Sequence, residues 1–349
     1  LVKGIAGLGD RMQCVLTGIL YARLTGRQVL VDWTDHYYSN DGQNAFHHLF
    51  QCSLCDPKNE IPLTDSVAPA IWRGNLRDSA WSMRRRYGDM NDSDTWRQFS
   101  IELEKLDYQE DVLVMWTYME KVDLLRNHFT GPFEEWAHAS TPAILRRLLQ
   151  EDLLLQPGIW KRIDEFKSAN FTRPTVGVHV RYTDHRSRLW AILHQLNKLF
   201  KRHPDLQVFL STDNLQIKNM FEESYPAVIS TAHWYGPIPG LALHTDRNRP
   251  DPIENGIEAL VDLYLLGQCD YLIIDRSSSF AYVARLLTNA PDAAVFDVGR
   301  YGKPPARFRR FMHRAMLRSG VFSWGLRGLT KFLKMKNRRL LAGRTGNRR

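Results

Sequence analysis

The chain has 349 residues, 44% hydrophobic and 24% charged, which is enough to bury two cores of ordinary size and too balanced for a disordered polymer. No run approaches 18 consecutive apolar residues, so no membrane-spanning helix is expected, and four cysteines are too few for a disulfide scaffold. The net charge of +9 is uneven: residues 306–349 hold fourteen Lys or Arg and no Asp or Glu, so the body is mildly acidic and the basic character belongs to the tail.

In chain order, Val2 to Gly9 reads as a short strand running into the glycine-rich turn Gly4-Ile-Ala-Gly7-Leu-Gly9-Asp10. A helix is expected from Asp10, a plausible N-cap, to about Thr25, with Gly26 as its stop. Gln28 to Asp32 follows as a second buried strand. This β-α-β unit invites a dinucleotide reading in which Asp32 would hold a ribose. The spacing is G-x-x-G-x-G, however, and Asp10 and Arg11 stand where a third glycine is expected, so an NAD-dependent dehydrogenase is only an alternative.

Residues 33–98 cluster Trp, Tyr, His, Asn and Asp, a composition suited to sugar contacts and equally to an irregular surface connection. Cys52 and Cys55 form the one C-x-x-C, with no further ligands at zinc spacing. The cysteines are read as reduced, with Cys14 and Cys269 in the core, and a cytoplasmic location is expected. Asp92-Ser93-Asp94 is a D-x-D without a preceding apolar strand and is read as a turn. Asp111 to Thr117 reads as a strand, and helical patterns follow at about 120–128, 142–154 and 157–168. Turn chemistry over 169–174 marks a boundary between domains 1–170 and 171–305, with 306–349 as a basic amphipathic tail. Asn170-Phe171-Thr172, formally a glycosylation sequon, is set aside in a protein expected to be cytoplasmic.

Thr175 to Val180 has the β-branched composition of a buried strand and then delivers His179, Arg181, Thr183 and Asp184 in quick succession. Ligands of open α/β sheets bind outside the carboxyl ends of strands, and the guanidinium fork suits phosphate. Two readings stay open here: a phosphate or pyrophosphate site, or an Arg–Asp ion pair capping the strand. A helix over 189–202, a strand over 208–212 and a helix over 214–224 come next. Asp213 and its neighbours can cap that helix or face a ligand. After a short strand at 228–231 and a long loop over 232–252, Glu254 to Gly267 reads as a helix with Asp262 inside its apolar run. A strand at 270–274 then leads through Asp275-Arg276-Ser277-Ser278-Ser279 into a helix ending near Leu287. Such a turn offers hydroxyls and N–H groups to an anion, or caps the helix. Val295 to Val298 would close the sheet. The tail is read either as a membrane-surface or polyanion-binding arm or as a closing helix.

Taken together, these stretches resemble the α1,6-fucosyltransferase group, which includes the core fucosyltransferases of N-glycans and the bacterial nodulation fucosyltransferases. Val176 to Asp184 resembles its V-G-V-H-x-R-x-T-D motif, and Leu210-Ser-Thr-Asp-Asn214 resembles its second motif. Leu260 to Phe280, with Asp262, Asp270, Tyr271, Ser277 and Ser278, resembles the third, and Gly7-Leu-Gly9-Asp10 resembles the N-terminal turn.

The resemblance implies an α/β fold of two Rossmann-like domains facing across a cleft (GT-B type), with the basic C-terminal tail added. It implies a glycosyltransferase that takes GDP-fucose, acts on a glycan or glycolipid-like acceptor, uses no metal or other cofactor and inverts the sugar carbon. No nucleic acid partner is expected, and the tail is offered as a peripheral contact at the inner membrane face. By position, Arg181 would bind the pyrophosphate, His179 the nucleotide, Asp262 guanine or ribose, and Ser278 the phosphates. Gly7, Gly9, Asp213 and Ser277 join these as binding candidates.

The chain departs from the group in two places. Tyr182 stands where a second arginine is common, and His185-Arg-Ser-Arg-Leu189 lacks the group's glutamate. His185 or Asp184 would then take the role of base, or Arg186 and Arg188 would supply the missing charge. A non-catalytic sugar-nucleotide or glycan-binding homologue is the alternative from a different class.

Overall fold

The computed structural model describes residues 1–302 apart from 90, 91, 93 and 239, so the basic stretch 306–349 lies outside the described residues. The chain divides into two compact units. Of the described residues, the first comprises 1–161 and 250–260, the second 162–249 and 261–302. Among the described residues no helix is long and apolar enough to cross a membrane.

In the first unit, β1 (Val2–Lys3) pairs in parallel with β2 (Val31–Asp32). β3 (Phe50–Cys52) comes later in the chain, and β4 (Val67–Ala68) pairs in parallel with β5 (Val112–Leu113). A bridge from Val2 to Met115 joins the two parallel pairs. β6 (Leu153–Leu155) lies antiparallel to β3 and occupies the end of what the periodicity reads as one helix over 142–154. That helix stops at Glu151.

Helix Leu8–Thr25 is buried along most of its length, and Gly26 ends it in the left-handed conformation (φ 70°) that glycine adopts without a Cβ penalty. Its N-cap is Gly7, not Asp10. The Arg11 amide already closes the first turn on the Gly7 carbonyl, which leaves Asp10 inside that turn, where its charge favours the helix dipole.

Two cations sit inside this unit. Lys3, 1% exposed, donates from Nζ to Asp32 and to the Leu76 carbonyl. Arg11, also 1% exposed, donates to Asp35 at 2.6 Å and to the Ala6 carbonyl at 3.0 Å, and lies over the ring of Trp33. Gly4 is small for a reason: a Cβ there would stand 2.2 Å from Arg11 Nη1. The ribose role considered for Asp32 is therefore corrected, because that carboxylate is buried against Lys3 and also accepts from Thr34. A second correction concerns the cysteines. Cys52 and Cys55 form a disulfide, while Cys14 and Cys269 are buried free thiols as expected. Burial pushes the Cys14 thiol up to about 11.

The second unit is built on a five-stranded parallel sheet. Its strands are β7 (Thr175–Val180), β8 (Gln207–Thr212), β9 (Val228–Ile229), β10 (Tyr271–Ile274) and β11 (Val295–Asp297), in the spatial order β11-β10-β7-β8-β9. All six residues of β7 are buried, which is why its sequence is a near-continuous β-branched run rather than an alternation.

The two faces of β7 still differ. Val176, Val178 and Val180 join a core with Ile192, Leu196 and Leu199 of helix Leu189–Arg202 and Phe221 of helix Leu215–Ser224. Gly177 faces the other way, and a Cβ there would meet Cys269 Sγ at 3.0 Å and Leu266 Cδ2 at 3.1 Å. Helix Pro252–Gly267 ends against helix Ser279–Leu287, so that a Cβ on Gly267 would stand 2.8 Å from Leu287 Cβ and 3.1 Å from its carbonyl. Neither backbone can move aside cheaply. Gly267→Ala should therefore lower the unfolding free energy by about 1–3 kcal/mol. Gly158→Ala, where nothing lies within 4 Å, should change it by less than about 0.5 kcal/mol. Chemical denaturation of the two variants side by side checks the contrast.

Candidate functional site

The strand order places β7 at the point where the chain reverses direction across the sheet. β8 and β9 are added on one side of it and β10 and β11 on the other. Successive crossovers therefore leave in opposite senses from the gap between β7 and β10, and a crevice opens at the carboxyl ends of those two strands. The polar residues singled out in the sequence gather there.

His179 is the fifth residue of β7 and is 6% exposed, with its ring stacked on Phe280 at 5.0 Å between centroids. Its Nδ1 is buried and has no hydrogen-bond partner. Burial above all, with the nearby charges of Arg181 and His185, lowers its pKa to about 3, although Asp275 acts in the opposite sense. The imidazole is therefore neutral at ordinary pH.

Arg181 follows one residue beyond the strand. Its Nε and Nη2 hold both oxygens of Asp184 at 2.9 and 2.6 Å, a forked ion pair. Burial would raise the Asp184 carboxyl, but Arg181, with help from His244 and Thr183, holds it below the usual carboxylate range. The strand-capping Arg–Asp pair is thus present, and it does not preclude phosphate binding by the same arginine.

The loop that carries these residues is tied down at both ends. The Arg181 amide donates to Ser187 Oγ at 3.1 Å, and the Ser187 amide returns to the Arg181 carbonyl at 2.9 Å. Asp213, just past β8, accepts from the Tyr182 amide at 2.6 Å and from the Thr183 hydroxyl. Its carboxyl is raised by burial, against those two donors. Asp213 thus orients the loop, and the cap of helix Leu215–Ser224 falls to Asn214, which accepts from the Ile217 amide at 3.0 Å. Tyr182 turns into the hydrophobic core and is 9% exposed.

From β10 the turn 275–278 approaches the same place. His185 Nε2 lies 3.2 Å from Ser277 Oγ. Asp275, 1% exposed, accepts from the Ser277 amide and hydroxyl at 3.2 and 2.7 Å. Ser278 is the N-cap of helix Ser279–Leu287, yet its side chain makes no capping bond. Its Oγ is buried without a partner. A buried, unbonded hydroxyl at a helix N-terminus is an arrangement that an anion would complete.

Asp262 projects from helix Pro252–Gly267 and is 5% exposed. Burial raises its carboxyl, opposed by the proximity of His233 and by hydrogen bonds from Thr231 and Ser211. His233 in turn donates from Nε2 to the Thr212 carbonyl at 3.0 Å. Ser211 lies in the stretch that resembles the second motif and His233 in the long loop over 232–252, but neither they nor Thr231 were paired with Asp262 from the sequence.

His179, Arg181, Asp184, His185, Asp213, Asp262, Ser277 and Ser278 all belong to the second unit. Gly7 and Gly9 belong to the first, one as helix N-cap and the other inside the helix, where its carbonyl accepts from Gln13 at 3.0 Å. In the D-x-D stretch the Asp94 amide donates to the Asp92 carboxylate at 2.8 Å.

No protein-family model matches the chain. It is 23% identical over 329 residues to nodulation protein Z of Azorhizobium caulinodans, across 83% of this chain and 88% of that protein. It is 26% identical over 309 residues to the probable fucosyltransferase 9 of Arabidopsis thaliana, across 80% of this chain and 57% of the plant protein. Among solved structures it resembles the fucosyltransferase NodZ from Bradyrhizobium (TM-score 0.57, 23% identity, 86% of this chain and 96% of that one). It also resembles a NodZ α1,6-fucosyltransferase soaked with GDP-fucose (TM-score 0.56, 22% identity, 82% and 91%). Arabidopsis thaliana FUT1 in complex with GDP is a third match (TM-score 0.52, 18% identity, 88% and 70%). The resemblance carried by the motifs is thereby borne out at the level of the fucosyltransferase family, and the fold is the GT-B fold of these structures.

The state of His179 has a measurable consequence. Its folded pKa lies below the unfolded value of 6.5, so below that pH the unfolded chain binds the extra proton. Stability then falls as the pH falls, by about 1.4 kcal/mol per unit, or roughly 2 kcal/mol between pH 6.5 and 5. In His179→Asn the loss of unfolding free energy over that interval should be smaller by about this amount. Equal losses in the two proteins would show that His179 ionises normally.

Proposed function

We propose that the chain transfers fucose from GDP-fucose to a glycan acceptor, with inversion and without a metal, at the carboxyl ends of β7 and β10. The observation that carries this reading is the pair of buried polar atoms with no protein partner, His179 Nδ1 two residues before Arg181 and Ser278 Oγ at the N-cap of helix Ser279–Leu287. The relatives supply the donor class: NodZ structures were determined with GDP-fucose and with GDP.

In this reading the acceptor hydroxyl oxygen attacks the anomeric carbon from the face opposite the diphosphate. The carbon–oxygen bond to GDP breaks, and its electron pair leaves on the β-phosphate oxygen. Arg181 and the amides that open helix Ser279–Leu287 lie where that charge develops, the role a divalent cation would otherwise fill. Neutral His179 contributes a hydrogen bond to the nucleotide without adding charge. Asp184 fixes the Arg181 fork. Its carboxyl, held below the usual range, is a poor proton acceptor near neutrality. His185, in the same loop and 3.2 Å from Ser277 Oγ, is the residue assigned to take the acceptor hydroxyl's proton. The buried Asp262 cluster suits hydrogen bonding to the guanine or ribose. A glycan acceptor follows from the reaction class.

Titration with GDP-fucose, with and without EDTA, tests the reading. Binding should survive the chelator. Arg181→Ala should lower kcat/KM by about 10²–10³-fold. Loss of transfer on chelation would overturn the metal-free reading, and tight binding without turnover on any glycan would favour a non-catalytic binding protein. Ser278→Ala gives a separate check. Removing a hydroxyl that has no partner should leave stability within about 0.5 kcal/mol of the parent, yet weaken GDP binding by about 5–10-fold.

A further inference from the structure

Arg188 stands on the last turn before helix Leu189–Arg202. Its amide and Nη1 donate to Asp275, the latter to both carboxylate oxygens at 3.1 Å. Asp275 is almost fully buried, whereas the Arg188 side chain is 40% exposed. A single nitrogen of the guanidinium is engaged, so Nη2 and Nε remain for another partner.

The same carboxylate accepts from Ser277, and it stands three residues ahead of Ser278, whose Oγ lacks a partner. Asp275 thus holds a cation beside the helix N-terminus that would receive an anion. The buried cations of the first unit differ in exposure: Lys3 and Arg11 are each 1% exposed, Lys3 held by Asp32 and the Leu76 carbonyl and Arg11 by Asp35 and the Ala6 carbonyl, with Arg11 Nη1 buried without a partner. Arg188 is anchored at one nitrogen and open at the others, the disposition of a ligand-binding side chain rather than a structural one.

Resting on the GDP-sugar reading above, we infer that Arg188 is a second diphosphate ligand, presented by Asp275 acting as its positioning residue. The two arginines would approach the diphosphate from different segments, Arg181 from the end of β7 and Arg188 from beside the β10 turn. The contact inferred for Arg188 is to the β-phosphate, which GMP lacks, so the β-phosphate distinguishes its effect. GDP should feel the loss of Arg188 and GMP should not.

Calorimetric titration of the full chain with GDP and GMP tests this in the parent, Arg181→Ala, Arg188→Gln and Arg188→Lys. Arg188→Gln should weaken GDP about 10–100-fold and GMP less than about threefold. Arg188→Lys keeps the charge and the ion pair with Asp275, so it carries the test if the glutamine variant does not fold. It should weaken GDP by a smaller factor, with GMP again unchanged. Unchanged GDP affinity in the folded Arg188 variants, with loss in Arg181→Ala, overturns this inference and leaves the fucosyltransferase reading intact. Equal losses for GDP and GMP overturn it as well. A parent protein that binds neither nucleotide overturns the GDP-sugar reading and this inference together.

Discussion

The Asp275 carboxylate, buried at the end of β10, is the constraint on which the candidate site depends. An uncompensated charge in that position would cost several kcal/mol, so the surrounding chain must supply donors. It does so from two sides: the Ser277 amide and hydroxyl from its own turn, and the Arg188 amide and guanidinium from the loop after β7. Satisfying one acid therefore draws two loops together at the switch point of the sheet. The turn that opens helix Ser279–Leu287 and the segment that carries Arg181 are fixed against each other as a result.

Around that anchor the polar groups sort into two classes. Asp184, Asp213 and Asp262 are engaged with Arg181, with the Tyr182 and Thr183 donors, and with Thr231 and Ser211. They shape the site by holding other groups still. His179 Nδ1 and Ser278 Oγ are the opposite case, buried and unbonded within the protein. Leaving such an atom unsatisfied costs about 1–3 kcal/mol. The carboxylates of this site find partners within the protein, whereas His179 Nδ1 and Ser278 Oγ do not, and a ligand would complete them.

Much of the second unit was legible because its physics is local. Short apolar runs gave β7, β8 and β10, and helical spacing gave helices over 189–202, 214–224 and 254–267, which the structure places at Leu189–Arg202, Leu215–Ser224 and Pro252–Gly267. The first unit was less readable because its strands are two or three residues long and held by residues far away in the chain. The Leu153–Leu155 strand has no alternation to betray it. Asp213 was read with the ligand residues because a carboxylate at a strand end is the same in sequence whether it faces solvent or a backbone amide. The Cys52–Cys55 disulfide was missed for a related reason: C-x-x-C spacing is compatible with both thiols and a bond, and composition does not decide.

The Tyr182 departure is the place where strand geometry explains more than motif comparison. Side chains alternate across a strand, so Val176, Val178, Val180 and Tyr182 share one face, and all four enter the core packed against helix Leu189–Arg202. Gly177, His179 and Arg181 share the other face, where His179 meets Phe280. With the Tyr182 amide fixed by Asp213, its ring contributes apolar burial to the core. An arginine placed there with the same backbone would have to bury its charge or rearrange the loop. A second cation for the phosphate turn is then more easily supplied from outside the strand. Arg188 meets that condition: it begins the helix that covers Tyr182, and it reaches the turn after β10 through a carboxylate already committed to ordering that turn.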